Sequence, residues 1–320
     1  MENNNYAISI SGLTKRFKKQ VAVNNITIKV KSGKIHGFIG PNGSGKTTTI
    51  KCLIGSIIPN SGEIQIDGKD AKLSVAKEVL GYIPENARFP MHLSTYKYLT
   101  WMSFLRGNNW KKSKEEAKAS LEQLNLWKFQ RKNPNSFSSG MKKKVLLAQA
   151  LISNPKILIL DEPAANLDPT ARMELFDELI KLRDIGKSIL ISSHILLELQ
   201  NIIDEVTILN HGNVIYSDII QTKKQNLYMF DPLKPELFIK VLKKAGYDVQ
   251  IMNEKIVVQI KNDQELLNIS ELALEHKILI KSTQPYTTDL TELYEQIIKN
   301  DQESEIVSSH KNSNKKEGKK

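Results

Sequence analysis

Apolar and polar positions change rhythm several times along this chain, and each change predicts an element. Residues 6–10 and 22–30 alternate apolar and polar side chains at period two, as strands with one buried face do. Residues 35–39 form a short apolar run that predicts a buried strand, followed by a helix from Lys46 to about Gly55. Turn sequences at 59–62 and 67–68 bracket a strand over 63–66, and 79–83 is a further buried strand ending at Pro84-Glu85. From about Ser94 to Gln130 the period becomes helical. Tyr98, Trp101, Met102 and Leu105 recur at spacings of three and four, and a second helix follows around 114–124. Trp101 and Trp127 read as packing residues of these helices. Beyond them the pattern predicts a helix over 142–151, a buried strand over 156–160, a helix over 172–183, a strand over 188–192 and a helix over 195–203. Strands over 206–209 and 214–216, joined at His211-Gly212, close this part near residue 220.

A short polar linker, 221–225, separates a second pattern. Strand 226–230, helix 235–245, strands 248–252 and 255–260, helix 263–275 and strand 277–282 give the order β-α-β-β-α-β, a ferredoxin-like arrangement. Phe238, Val241, Leu242 and Ala245 form the core face of its first helix, opposite Lys240, Lys243 and Lys244. A final helical stripe runs through Leu290, Leu293, Tyr294, Ile297 and Ile298. The expected domains are 1–220, with a helical insert at about 86–150, then an α+β domain at 226–299 and a disordered basic tail at 300–320.

Composition narrows the class. The 320 residues are 40% hydrophobic and 25% charged, ordinary for a globular protein. No apolar run is long enough for a membrane span, the first residues lack the charge and apolar pattern of a secretory signal, and the lone Cys52 excludes an intrachain disulfide. These features predict a cytoplasmic protein. The net charge of +11 is uneven: residues 101–150 hold eleven Lys/Arg against three Asp/Glu, and the last ten residues hold five lysines and one glutamate. Such stretches suit anionic lipid headgroups or nucleic acid, and equally a solvated face.

The chemistry concentrates in Gly40-Pro41-Asn42-Gly43-Ser44-Gly45-Lys46-Thr47, with Thr48 following. This fits G-x-x-x-x-G-K-[ST], in which backbone N–H groups cradle a polyphosphate, the lysine faces the β- and γ-phosphates and the hydroxyl reaches Mg²⁺. The helix that follows points its positive end at the phosphates. Phe17, just upstream, either stacks on an adenine ring or packs in the core. Farther on, the strand ending Leu160-Asp161-Glu162-Pro163 presents two acids at its C-terminal edge. Two adjacent acids beside a phosphate site divide the labour of ATP hydrolysis, one serving the metal and one the attacking water.

The order of these motifs resembles the ATP-binding cassette of ABC transporters over roughly residues 6–220. It runs from the P-loop to Phe137-Ser138-Ser139-Gly140-Met141, then to Asp161-Glu162-Pro163, Asn166-Leu167-Asp168 and Ser193-His194. The resemblance implies an α/β P-loop NTPase fold: a RecA-like core, an antiparallel β subdomain and a helical insert, with the small ferredoxin-like domain appended. It implies that Phe17 stacks on adenine, Gly40–Thr48 holds the phosphates, Asp161 and Thr47 associate with Mg²⁺, Glu162 is the general base and His194 contacts the γ-phosphate. Ser138, Ser139 and Gly140 correspond to the signature that binds the ATP of a second cassette in a head-to-tail dimer, and Asp168 to the loop crossing that interface. A separate integral-membrane permease is expected to dock near residues 85–93, where Phe89, Pro90 and Met91 read as exposed, and to hold the protein on the inner face of the membrane. The short C-terminal segment resembles that of export ATPases. An anionic membrane surface is a further contact the lysines suit; nucleic acid is not expected.

Three positions depart from the pattern. Glu85 stands where the family has Gln, adding negative charge near the γ-phosphate while still able to reach Mg²⁺ or water. Ser139 and Met141 stand where the signature has Gly and Gln, which bears on turnover more than on binding. The rival readings are a soluble ABC ATPase acting on ribosomes or nucleic acid, and an ATP-gated regulatory module that hardly hydrolyses.

Overall fold

A computed structural model describes residues 5–86, 88–219, 227–252, 255–260 and 262–285. The chain divides into two units, one built on the described residues up to Ile219 and the other on those between Ile220 and Leu293. The first unit runs β1 (Tyr6–Phe17), β2 (Gln20–Lys31), β3 (Ile35–Ile39), α1 (Lys46–Leu53), β4 (Ser61–Ile66), β5 (Lys69–Asp70), α2 (Ser74–Lys77), β6 (Leu80–Ile83), α3 (Thr95–Phe104), α4 (Trp110–Gln123) and α5 (Ser139–Leu151). It continues with β7 (Ile157–Leu160), α6 (Pro169–Asp184), β8 (Ser188–Ser193), α7 (Leu196–Leu199), β9 (Glu205–Asn210) and β10 (Asn213–Ile219).

These strands make two sheets. One is antiparallel, in the order β2-β1-β4-β5; the other runs β10-β9-β3-β8-β7-β6 and is parallel except at β10. The parallel strands β3 and β7 are buried at every residue, as sheets covered on both faces require. Ile8, Ile10, Leu13 and Val23 from the antiparallel sheet, Phe38 from β3 and Ile50 and Leu53 from α1 join one buried core. The register sets β3, β8, β7 and β6 side by side, with Ile39 opposite Ser193, Ile191 opposite Leu160, and Leu160 opposite Ile83. The segments after those strand ends therefore converge on one edge, where open α/β sheets bind ligands.

Several boundaries differ from the sequence pattern. β1 and β2 run well past residue 10 and back to residue 20, because the polar stretch between them is a continuous hairpin turning at Lys18, whose φ is 52°. The register of β1 slips between Ile10 and Leu13, and Gly12 there takes a φ of 60°; the bulge hides the period-two alternation. α7 is a single turn where a helix to Ile203 is expected. α5 opens at Ser139, three residues early, because Ser138 caps it by accepting from the Met141 N–H. β5 and α2 have too few residues to leave a pattern.

The second unit runs β11 (Leu227–Pro232), α8 (Pro235–Lys244), β12 (Val249–Met252), β13 (Lys255–Gln259), α9 (Asp263–Glu275) and β14 (Ile280–Pro285), and its four strands form an additional antiparallel sheet in the order β12-β13-β11-β14. Its core gathers Phe230, Phe238, Val241, Leu242, Ile256, Val258 and Ile269. The last strand lies three residues beyond its expected position, since Lys277 turns the chain with a φ of 55°. The expected linker at 221–225, the helical stripe from Leu290 to Ile298 and the basic tail lie outside the described residues.

Candidate functional site

The loop between β3 and α1 is held from two sides. Gly40 N–H donates to the Ser193 carbonyl at 3.3 Å, and Gly212 N–H to the Ser44 carbonyl at 3.0 Å. Gly45 caps α1 with a φ of 106°, and a Cβ there would lie 2.6 Å from the Ala22 carbonyl oxygen, so no other residue fits. Behind the loop the Lys46 ammonium is buried, donating to the carbonyls of Gly40 at 2.6 Å and Pro41 at 3.3 Å, and it lies 3.3 Å from Glu162 Oε1. Ser44 Oγ is buried without a partner.

Opposite stand the acids at the end of β7. Asp161 is 2% exposed and accepts from Thr47 Oγ1 at 3.2 Å and Ser192 Oγ at 2.8 Å. Burial pushes its pKa up; the two hydroxyls oppose this, while the Glu162 and Glu85 charges add to it. Glu162 follows with a φ of 44°, a conformation that costs a non-glycine residue roughly 1–3 kcal/mol and recurs at functional sites. It is fixed by its own N–H, which donates to Ser192 Oγ at 2.9 Å, and by His194, whose Nδ1 donates to Glu162 Oε2 at 2.9 Å.

Together these groups line a cavity of about 350 Å³. Asn42, Gly43, Gly45, Lys46, Thr47, Thr48, Glu85, Glu162 and His194 face it, joined by Gln20 and Ala22 of β2 and by Ala165 and Asn166. Asp161 reaches it through Thr47. The structure does not bring the remaining predicted residues to this cavity. Phe17 ends β1, 45% exposed, with the Lys15 ammonium 5.1 Å from its ring centre. Ser138 and Ser139 are exposed at the start of α5, and Asp168 is exposed as the cap of α6, accepting from the Ala171 N–H at 2.9 Å. Gly140, the third of those signature residues, is buried; a Cβ there would meet the Ala171 Cβ at 2.7 Å, so helix packing sets its size. Phe89, expected to be exposed in the docking groove, is buried with its edge against Tyr98 at 5.2 Å, while Met91 is 77% exposed.

Two residues of the site are absent from the motif reading. Ser192 ties Asp161 to Glu162, and the signal for it is a serine ending the apolar run Ile189-Leu190-Ile191. Lys143 is buried on α5 and donates to the carbonyls of Glu85 at 2.6 Å and Pro84 at 3.3 Å. It shares a helical spacing with buried Gly140, Leu147 and Ala150, so a charge at a core position was its signal. Burial pulls its pKa down to about 8, against the opposing pull of Glu85, Asp161 and Glu162.

The cavity suits a polyphosphate: a buried ammonium, the Thr47 hydroxyl and the N-terminus of an eight-residue helix face one space. Among the described residues no cluster of three or more His, Cys, Asp or Glu side chains makes a self-sufficient metal site. Thr47 and Asp161 supply the two oxygens that Mg²⁺ takes from a protein when phosphates and water complete its shell.

Comparison with known proteins agrees with this geometry. A family model described as "ABC transporter" matches residues 23–165. The chain is 42% identical over 214 residues to a putative ABC transporter ATP-binding protein of Mycoplasma pneumoniae, covering 66% of each. It is 35% identical over 225 residues to the bacitracin transport ATP-binding protein of Enterococcus faecalis, covering 69% of this chain and 72% of that one. A solved structure of an ATP-binding subunit of an ABC transporter superposes with a TM-score of 0.61 at 25% identity, covering 83% of this chain and 99% of the other.

Proposed function

The chain belongs to the ABC transporter ATP-binding proteins and is the ATP-hydrolysing subunit of such a transporter, and we propose that Glu162 is its general base. The observation that carries this is the contact set of Glu162. Its carboxylate lies at hydrogen-bond distance from His194, beside the Lys46 ammonium, on the wall of the cavity. A carboxylate so placed accepts a proton from water as that water attacks the γ-phosphorus. His194 orients it and can turn to the γ-phosphate, while Lys46, released from the loop carbonyls, neutralises charge on the β- and γ-phosphates. Thr47 and Asp161 would hold Mg²⁺, which supplies charge neutralisation on the phosphates. Glu85, on the same wall, is a further candidate for the metal or the water. The loop from Gly40 to Thr48 holds the phosphates, and the opening toward Gln20 and Ala22, on the hairpin that bears Phe17, supports an adenine site there.

The exposure of Ser138, Ser139 and Asp168, outside this cavity, supports their acting on the nucleotide of a second cassette in a head-to-tail dimer. Among the described residues no helix is long and apolar enough to cross a membrane. This is in keeping with a separate integral-membrane permease that would hold the chain on the inner face of the membrane, and a Nod factor export ATP-binding protein of Rhizobium, 32% identical over 208 residues, supports export. The order β12-β13-β11-β14 with two helices supports a ferredoxin-like second domain. Replacing Glu162 by Gln keeps size and hydrogen bonding but removes proton acceptance. Hydrolysis should then fall by about 10²–10⁴-fold while Mg·ATP affinity is kept. Unchanged turnover would sink the assignment and leave Glu85 or His194 to manage the water.

A further inference from the structure

Three aromatic rings meet at the corner between α3 and α4. Trp101 and Phe104 occupy the last turns of α3 and Trp110 opens α4. Their centres lie 5.1 Å (Trp101–Trp110), 5.4 Å (Phe104–Trp110) and 5.7 Å (Trp101–Phe104) apart, all edge to face. Such contacts make the cluster self-supporting. Yet the rings remain 41%, 40% and 41% exposed, and Leu105 beside them is 71% exposed. Single exposed apolar side chains are ordinary, but four together mark an interaction surface.

The same corner is cationic. Residues 97–118 hold Lys97, Arg106, Lys111, Lys112, Lys114 and Lys118 against Glu115 and Glu116 only. Glu116 accepts from Ser103 Oγ at 2.6 Å and Asn108 Nδ2 at 2.9 Å and lies 3.7 Å from the Lys112 ammonium, so it offsets that one lysine and the corner keeps a positive balance. The Lys114 ammonium sits over the Trp110 ring, 5.9 Å from its centre.

Partner classes separate on this chemistry. Protein interfaces deplete lysine around their aromatic cores. Bases of single-stranded nucleic acid stack on free ring faces, and here the rings turn edges and faces to one another. A bilayer interface favours both features at once: indole and phenyl groups at headgroup depth, and long cations that snorkel to lipid phosphates. We propose that the α3–α4 corner is a membrane contact, with Trp101, Phe104, Leu105 and Trp110 entering the headgroup region and Arg106, Lys111 and Lys114 pairing with anionic lipid phosphates. The contact is peripheral and adds to whatever a permease provides.

The test uses the purified full-length protein with phosphatidylcholine vesicles, with and without phosphatidylglycerol, read by co-sedimentation and by quenching of tryptophan fluorescence with brominated acyl chains. The wild type should bind the anionic vesicles and be quenched. Lys111→Glu with Lys114→Glu should weaken binding by roughly tenfold or more, from the free energy of each lysine near an anionic surface. Trp101→Ser with Trp110→Ser should weaken it comparably, and both variants should keep wild-type ATP hydrolysis, so the lipid contact is judged apart from the ATPase. Three results would overturn the proposal: a wild type that ignores anionic vesicles, aromatic and lysine variants that bind as wild type does, or an aromatic variant that keeps vesicle binding while losing a co-isolated membrane protein. The second would move the contact to the C-terminal lysines, and the third would make the corner a protein dock.

Discussion

Lys143 occupies a core position of α5 with its ammonium on the carbonyls of Pro84 and Glu85, the loop that brings Glu85 to the cavity. Lys143→Met removes both contacts without touching Gly40–Thr48. We expect turnover to drop several-fold with little change in KM for ATP; an unaltered kcat would detach Lys143 from the site. The wild-type rate should also decline as pH rises through about 8, where this lysine loses its proton, and the Met variant should lack that limb. Stability runs the opposite way: between about 8 and the ordinary 10.5 the unfolded chain holds the proton that the folded one has lost, so stability rises with pH there. At this scale the motif residues were legible because phosphate chemistry demands fixed residue types in sequence, as with Lys46, Thr47, Asp161 and Glu162. Lys143 and Ser192 were not, because they act through backbone carbonyls and neighbouring acids across the fold. Gly140 was legible as part of the signature, but the close approach of Ala171 that leaves no room for a Cβ there was not.

β9 begins with Glu205, which ties three strands together. Its carboxylate lies 3.0 Å from the Lys31 ammonium at the end of β2 and 3.3 Å from His36 Nδ1 in β3, and it accepts the Lys31 N–H at 3.3 Å. Burial would raise its pKa, but the hydrogen bonds from His36 and Lys31 outweigh this and hold it at about 2, against an ordinary 4.5. Between those values the unfolded chain binds the extra proton. The contribution, on the order of 3 kcal/mol, is therefore whole above about 4.5 and lost as pH falls toward about 2. Glu205→Gln should lower the thermal midpoint at neutral pH and flatten the acid limb of a stability-against-pH curve. An acid limb identical to wild type would show that other carboxylates carry it. Elements were legible where one period holds, as in β3, β7, α3 and α9. They blurred where a bulge interrupts β1 near Gly12 and where α7, one turn long, merges with polar surroundings.

Taken whole, the cavity contains one half of the chemistry the motifs describe. Lys46, Thr47, Glu162 and His194 meet within it, while Ser138 and Asp168, exposed outside it, cap two neighbouring helices by accepting from the Met141 and Ala171 N–H groups. The resemblance in sequence implies that the two halves serve different nucleotides, and the exposure of Ser138 and Asp168 outside the cavity is what such an arrangement requires. If two chains sandwich two ATP molecules, slowing hydrolysis should trap the pair. Glu162→Gln with Mg·ATP should elute as a dimer on size exclusion, and as a monomer without nucleotide. Adding Ser138→Arg places a long cation where the other chain's phosphates must approach, so the double variant should stay monomeric while each chain still binds ATP with unchanged affinity. Ser138 caps α5 through a hydrogen bond of 3.4 Å to the Met141 N–H, so losing it costs about 1 kcal/mol at most and leaves the monomer folded. A double variant that still dimerises with ATP would mean that the exposed serine faces something other than a second nucleotide, and the head-to-tail arrangement would have to be abandoned.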